Sequence, residues 1–300
     1  LTCVAAVVVA GLALAGCSTT KKASDDAPHG LQIVAAENIW GDIAQAVGGT
    51  HVHVRSIINS PDADPHDYEP TPDDGRYIAE AKLVIVNGVG YDSWATKLIK
   101  ANSVPSERIL NVGEKVGAPI GGNPHLWYSP ASVSTAIDSI VADLSEIDAS
   151  RAADYRANAE DYRKGELAQY SAVIASIKKK YPNTPIGASE SVVSPMAEAL
   201  GLDMKTPASF LSAISEGAEP TLADKNKIDS QLKRKEVKVF IYNSQNATPD
   251  IRAQLTLAKA NRIPVVTFTE TMSPAGTSFV EWQVTQLNAL SKALASAMRK

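Results

Sequence analysis

Twice along this chain, short β-branched runs alternate with stretches of helical spacing. In the first half, LQIVAA (Leu31 to Ala36), VHVRSII (Val52 to Ile58) and KLVIVN (Lys82 to Asn87) are separated by apolar patterns of helical period at Ile39 to Val47 and Asp73 to Ala81. In the second half, PIGAS (Pro185 to Ser189), VKVFIYN (Val237 to Asn243) and IPVVTF (Ile263 to Phe268) alternate with helical stretches at Val192 to Leu200 and Pro249 to Ala260, and Gly276 to Met298 closes the chain. A strand, helix, strand rhythm places helices over parallel strands, because a parallel pair needs a long crossover between its members. Between the two sets lie a helical run at Pro130 to Ile147 and a proline-free run from Ser150 to Lys180, with Gly165 as its single glycine. The expected fold is therefore α/β: two similar lobes with largely parallel central sheets, joined by one long rigid helix. The expected boundaries are 31–149 for the first lobe, 150–181 for the linking helix and 182–300 for the second lobe.

The segment ahead of the first strand is a different material. Its first sixteen residues, LTCVAAVVVAGLALAG, are small and apolar, too short for an ordinary membrane span of about 20 residues. They read as the core of a secretory signal peptide, residues 1–16. The sequence LAGC, Leu14 to Cys17, resembles a bacterial lipobox, which makes Cys17 the expected lipidation site and residues 17–30 a polar tether. With Cys3 removed and Cys17 occupied, no thiol is left for a metal site, a nucleophile or a disulfide. A formal charge of −4 and the absence of a basic stripe argue against nucleic acid as a partner.

The chemistry is concentrated in loops. DPHDYEPTPDD, Asp64 to Asp74, follows the second strand, where open α/β sheets bind ligands, and it holds His66 directly after Pro65. GGNPHLWYSP, Gly121 to Pro130, repeats the arrangement with His125 after Pro124. Proline limits the backbone, so an imidazole beside it loses less entropy on taking a ligand. The second half offers acids instead: Glu190 follows PIGAS, and Glu270 follows the strand ending at Phe268. Singly, each histidine is more often a surface group or a neighbour of a ligand, each acid is more often part of a surface salt bridge, and a pair of carboxylates in a cleft also serves general acid and base chemistry. Together, two imidazoles and two carboxylates compose a shell for Mn²⁺ or Zn²⁺ rather than for calcium, which takes oxygen only. Asp64, Tyr68 and Glu69 could orient His66 or serve as ordinary caps, and Trp127 could shield an ion or anchor the core. His51 and His53 alternate along a strand pattern, a weak accessory zinc site set against ordinary surface histidines.

The segments DPHDYEPTPDD, NPHLWYSP, ASESVVSPMAEALGL and FTETMSP, in this order, resemble the solute-binding lipoproteins of zinc and manganese ABC importers, the adhesin-like cluster A-I family. The likeness runs from about Leu31 to the C-terminus. It implies two α/β lobes joined by a long helix, with one transported ion held between them by His66, His125, Glu190 and Glu270. It further implies no enzymatic activity, a monomer anchored by lipid at Cys17 on the bacterial surface or the periplasmic side of the membrane, and an ABC permease as partner. SEGAEPT, Ser215 to Thr221, resembles a family loop near the cleft and adds Glu216 and Glu219 as supporting groups. The family usually has aspartate where Glu270 stands, and its zinc-dedicated members often have histidine where Glu190 stands, together with a His-rich loop. Both zinc features are missing here, so the resemblance leans to manganese over zinc. The rival readings are a zinc-specific carrier, a surface adhesin binding host molecules with a structural metal, and a zinc hydrolase. The last is disfavoured because four protein ligands leave little room for a reactive water and no HExxH, GxSxG or Walker pattern is present.

Overall fold

The computed structural model describes residues 30–61 and 68–299. The expected signal peptide, Cys17, the tether up to residue 29, Asp64 and His66 lie outside the described residues. Among the described residues no helix is long and apolar enough to cross a membrane.

Two four-stranded parallel sheets form the framework. The first contains β1 (Leu31–Glu37), β2 (Val52–Ile58), β3 (Leu83–Val86) and β4 (Ile109–Asn111) in the order β2-β1-β3-β4. Ile33 of β1 pairs with Val54 on one side and Leu83 on the other. Five consecutive residues of β1 and all four of β3 are buried, as expected for inner strands covered by helices on both faces. The edge strand β2 alternates buried and exposed positions instead.

The second sheet repeats this topology: β5 (Pro185–Ala188), β6 (Asp203–Met204), β7 (Val239–Asn243) and β8 (Val265–Phe268) lie in the order β6-β5-β7-β8. The strand order reverses between β1 and β3 and again between β5 and β7. Each reversal opens a crevice beyond the carboxyl ends of the strands, where ligands of open α/β sheets sit. The strands β4 and β6 have three and two residues, too short to leave a periodic pattern in the sequence.

The helix Pro130–Ile147 starts where the sequence places it, with Ser129 as N-cap and proline at its first position. The long connecting rod is present as two consecutive helices, Ala152–Lys164 and Glu166–Lys180. They part at Gly165, whose φ of −87° and ψ of −98° leave the helical region. A Cβ there would stand 2.9 Å from the Asp161 carbonyl oxygen, so only glycine fits without a shift. The second of these helices packs against the closing helix Phe279–Ala297, with the Tyr170 and Phe279 rings 5.9 Å apart.

One hydrophobic cluster runs through both halves of the molecule. Trp40 and Trp127 from the first half belong to the same buried set as Phe210, Phe240, Phe268 and Trp282 from the second. A shared core of this kind resists wide hinge opening, because separating the halves would expose large aromatic surfaces to water.

Candidate metal centre

His125 is placed by its own neighbours. Pro124 precedes it, and the short turn of helix Leu126–Tyr128 follows it, so its ring lies fully buried. Asn123 sets the ring's hydrogen-bonding state. The Asn123 Nδ2 donates to the Ser191 carbonyl at 2.8 Å, which turns its Oδ1 toward His125. That oxygen accepts from the His125 backbone N–H at 3.0 Å and stands 2.8 Å from Nδ1. A neutral imidazole therefore carries its proton on Nδ1 and presents a bare lone pair at Nε2. Nε2 is buried and has no hydrogen-bond partner.

Opposite that lone pair stands Glu270. Its Oε2 is 3.7 Å from His125 Nε2, too long for a hydrogen bond. Two donor atoms each about 2.0–2.2 Å from one ion in a tetrahedral shell lie about 3.3–3.6 Å apart, so the observed gap of 3.7 Å is slightly wider than a bridging cation needs. Glu190 completes the acidic side. It follows β5, is fully buried, and lies close enough to Glu270 that the two carboxyls interact. Burial, and after it the charge of Glu270, push the Glu190 carboxyl up to about 8. Two carboxyls crowded in the interior favour holding a proton between them.

Carboxamides at the end of β7 organise the pair. Asn243 Nδ2 donates to Oε1 of Glu190 and, at 2.8 Å, to Oε1 of Glu270. Asn246 Nδ2 donates to the other Glu190 oxygen at 2.9 Å. Gln245 Oε1 accepts from the backbone N–H of Glu270 at 2.6 Å and of Thr271 at 3.1 Å, while its Nε2 donates to the Pro61 carbonyl across the molecule. From the first half, Tyr91 O–H reaches Glu270 Oε2 at 3.2 Å. The turn that delivers Tyr91 contains Gly88 and Gly90 at φ of 76° and 87°, values suited to glycine. Tyr128, two residues after the short turn begins, donates to the Thr269 carbonyl at 2.7 Å and so fixes the backbone beside Glu270.

Among the described residues, no three His, Cys, Asp or Glu side chains are placed so that together they could hold a metal ion. The structure assembles an open array: His125, Glu190 and Glu270 from three separate loops, with His66 outside the described residues. Of the other expected residues, Trp127 is buried edge-on to His125, ring centroids 5.4 Å apart. Glu216 lines a cleft of about 440 Å³ beside the array, together with Tyr91, Asn123, Ser191 and Ser215. Tyr68 is drawn elsewhere, donating to Asp74 Oδ2 at 2.9 Å and packing on Trp94. Glu69 is exposed, and Glu219 pairs at the surface with Lys225 at 3.0 Å. His51 pairs with Asp154 at 3.0 Å in the turn Gly49–His51, and His53 is exposed on β2, so the two do not form an accessory site.

Sequence reasoning missed Asn123, Tyr91, Asn243, Gln245 and Asn246. The available signal was the run NSQN, Asn243 to Asn246, directly after a buried strand. Three carboxamides at a sheet's carboxyl end are chemistry aimed at something, because buried amides need partners.

Comparison with known proteins agrees with this architecture. Two solved structures share the fold: the Mn-bound periplasmic metal binding protein of Candidatus Liberibacter asiaticus and the SBP FpvC of P. aeruginosa in complex with Ni²⁺. The first superposes with a TM-score of 0.72 at 18% identity, covering 87% of this chain and 98% of the other. The second does so with a TM-score of 0.72 at 22% identity, covering 89% and 98%. In sequence, the chain is 26% identical over 291 residues to the metal ABC transporter substrate-binding lipoprotein ScbA of Streptococcus cristatus, covering 90% of each. It is 31% identical over 161 residues to the manganese-binding lipoprotein MntA of Halalkalibacterium halodurans, and there spans 52% of this chain and 53% of that relative. These relatives are named as substrate-binding or metal-binding components, not as enzymes. The family described as the periplasmic component A of the zinc-uptake complex, ZnuA, matches residues 33–293, and the chain belongs to it.

Proposed function

We propose that this protein captures a single divalent transition-metal ion between its two halves and delivers it to a membrane permease of the ABC class. The ion is cargo, held by His66 and His125 from the first half and by Glu190 and Glu270 from the second. The observation that carries this reading is the buried, partnerless Nε2 of His125 facing a glutamate oxygen at 3.7 Å, beside a second buried carboxyl. Left empty of a cation, that arrangement sets a lone pair against an oxygen in a low-dielectric interior. A cation between them removes the conflict.

Donor type favours manganese over zinc. A carboxylate at Glu190 replaces a third imidazole, and harder oxygen donors suit Mn²⁺ better than nitrogen does. The usual divalent ranking works the other way, placing zinc above manganese, so zinc competes with manganese at an N/O site. A lipid on Cys17 would keep the protein beside its permease and raise the local concentration of loaded carrier. The shared aromatic core and the paired connecting helices favour loop movement or a small tilt over a wide hinge as the signal of loading.

The test is competitive Mn²⁺ and Zn²⁺ titration of metal-stripped protein, repeated on His66→Ala, His125→Ala, Glu190→Ala and Glu270→Ala. One ion bound per chain, with each replacement abolishing tight binding, supports the reading. Unchanged binding in two or more of the variants would place the ion elsewhere.

A further inference from the structure

All strands of the second sheet run the same way, so the turns that feed them meet at one end of that half, opposite the ends where Glu190 and Asn243 lie. Backbone bonds fix this base: Lys238 N–H donates to the Pro185 carbonyl at 2.8 Å and Phe240 N–H to the Pro264 carbonyl at 2.9 Å. Three of the turns are basic. KKKYPNT (Lys178 to Thr184) leads into β5, KRKEVK (Lys233 to Lys238) into β7 and KANRIP (Lys259 to Pro264) into β8. Together they hold nine cations and one acid in a chain of formal charge −4, and all nine cations are exposed. They are far apart in sequence, where they form no continuous stripe; the parallel strands collect them on one face.

Basic residues at helix ends serve the helix dipole. That need does not explain the whole face, because the helices Asn38–Gly48 and Pro72–Glu80 of the first half end with no basic residue in the last turn. Lys235, Lys238 and Arg262 also lie beyond their helices, Lys235 and Arg262 at a φ of 58°, the left-handed conformation where glycine is usual. These three line a cleft of about 460 Å³ with Val237, Asn261 and Ala297, and no acid stands in its wall. The ion pairs nearby use other cations, Lys233 with Asp229 at 3.7 Å and Arg234 with Glu236 at 3.8 Å. Met298, next to Ala297, is 58% exposed.

Cations around a partly apolar cleft, with an exposed methionine beside it, suit phosphate headgroups above hydrocarbon; a soluble anion would leave the apolar part in water. We propose that this base is a docking surface for anionic phospholipid. The inference draws on the proposed membrane anchoring for the encounter and is independent of the metal ligands. His51, in the turn before β2, pairs with Asp154 near the start of the connecting helices, whereas Lys178–Lys180 end them. The bases of the two halves therefore lie at opposite ends of a rod of about 40 Å. Docking by the second leaves the carboxyl ends of its strands clear of the headgroups.

The test is co-sedimentation of the chain from Ser18 onward, which retains every element described above and carries no lipid. The vesicles are phosphatidylglycerol and phosphatidylcholine in equal parts, or phosphatidylcholine alone, and binding is expected only to the first. Each cation at an anionic surface contributes about fivefold, so Lys235→Gly, Lys238→Gln and Arg262→Gly together are expected to weaken binding on the order of 100-fold. Glycine keeps the two left-handed turns. Lys233→Gln with Lys259→Gln, at exposed helix ends, is expected to cost at least about tenfold and decides the matter if the first variant does not fold. Lys82→Gln, Lys97→Gln and Lys100→Gln remove the same charge from the first half and are expected to leave binding within about twofold, because charges farther than about 10 Å are screened at 0.1 M salt. Equal binding to both vesicles, a loss below about fivefold in either folded base variant, or a first-half variant that weakens as much overturns the proposal. Release by inorganic phosphate at constant ionic strength overturns it too, by showing a site for a soluble anion.

Discussion

His125 Nε2 and Glu270 Oε2 face each other at 3.7 Å inside the protein, one from each half of the chain, with nothing else to satisfy the nitrogen. The lone pair is turned inward by Asn123, and the carboxylate is held in place by Tyr91 and Asn243. Both sides are thus fixed by the protein itself, and on the proposed reading this lowers the entropy lost when an ion binds.

Removal of either side should be decisive. His125→Ala and Glu270→Ala are each expected to weaken Mn²⁺ and Zn²⁺ binding by more than about 100-fold, beyond the 10- to 100-fold typical of residues that only orient a ligand. Isothermal titration on metal-stripped protein reads this directly. Losses below tenfold in both variants would assign the pair a merely structural role.

Acidity should couple to loading through Glu190, whose carboxyl is pushed up to about 8 by burial and by the neighbouring Glu270. Because the folded-state value is raised, this group favours the metal-free fold at low pH, and that contribution is lost as pH climbs from about 4.5 to about 8. A cation replaces the proton, so uptake near pH 6.5 should release about one proton from this pair, and affinity should rise roughly tenfold per pH unit before levelling above pH 8. Calorimetry in two buffers of different ionisation heat measures the protons released. None released at pH 6.5 would contradict the pairing.

Tyr128 ties the His125 segment to the Glu270 segment. Its O–H donates to the Thr269 carbonyl, and the Gln286 amide, which also holds the Thr269 N–H at 2.8 Å, donates to it at 3.1 Å. Tyr128→Phe strips a buried acceptor of its partner and should cost about 1–3 kcal/mol in denaturant unfolding. Affinity for both ions should fall in parallel, since the substitution loosens the backbone that carries Glu270.

Glu37 is an acid outside the proposed ligand set, fully buried at the end of β1 with no side-chain partner for either oxygen. Burial first, and the nearby Asp92 second, raise its carboxyl well above the ordinary range. Its neutral form suits the fold, so the protein should lose stability as pH rises above the unfolded value near 4.5. Glu37→Gln is expected to leave stability unchanged near pH 4 and to increase it at pH 8 by about 1–3 kcal/mol. Thermal unfolding at the two pH values tests the sign. Equal effects at both would show that ionisation is not involved.

The limits of the sequence are physical ones. The helix at Pro130–Ile147 and the helix at Pro249–Ala260 were legible to the residue because capping serine or threonine followed by proline marks their starts locally. The break at Gly165 was not, since one glycine in a helical pattern is compatible with either outcome and the backbone angle decides it. His125, Glu190 and Glu270 stood out because proline-held imidazoles and acids after strands are short-range signals. Asn123, Asn243 and Gln245 did not, because an amide shows its purpose only through the partner it finds.

Alternating apolar periods, two proline-histidine loops and two acids beyond strand ends are properties of neighbouring residues, and the sequence by itself determined them: an α/β chain in two halves with donors suited to a transition metal. Which nitrogen of His125 is bare, which glutamate oxygens accept from Asn243, and how Gln245 joins the Pro61 and Glu270 segments were decided only in the tertiary structure. Each of these depends on atoms from distant strands meeting at the carboxyl edges of two sheets. Local periodicity carries no information about that meeting; the packing of a common core does.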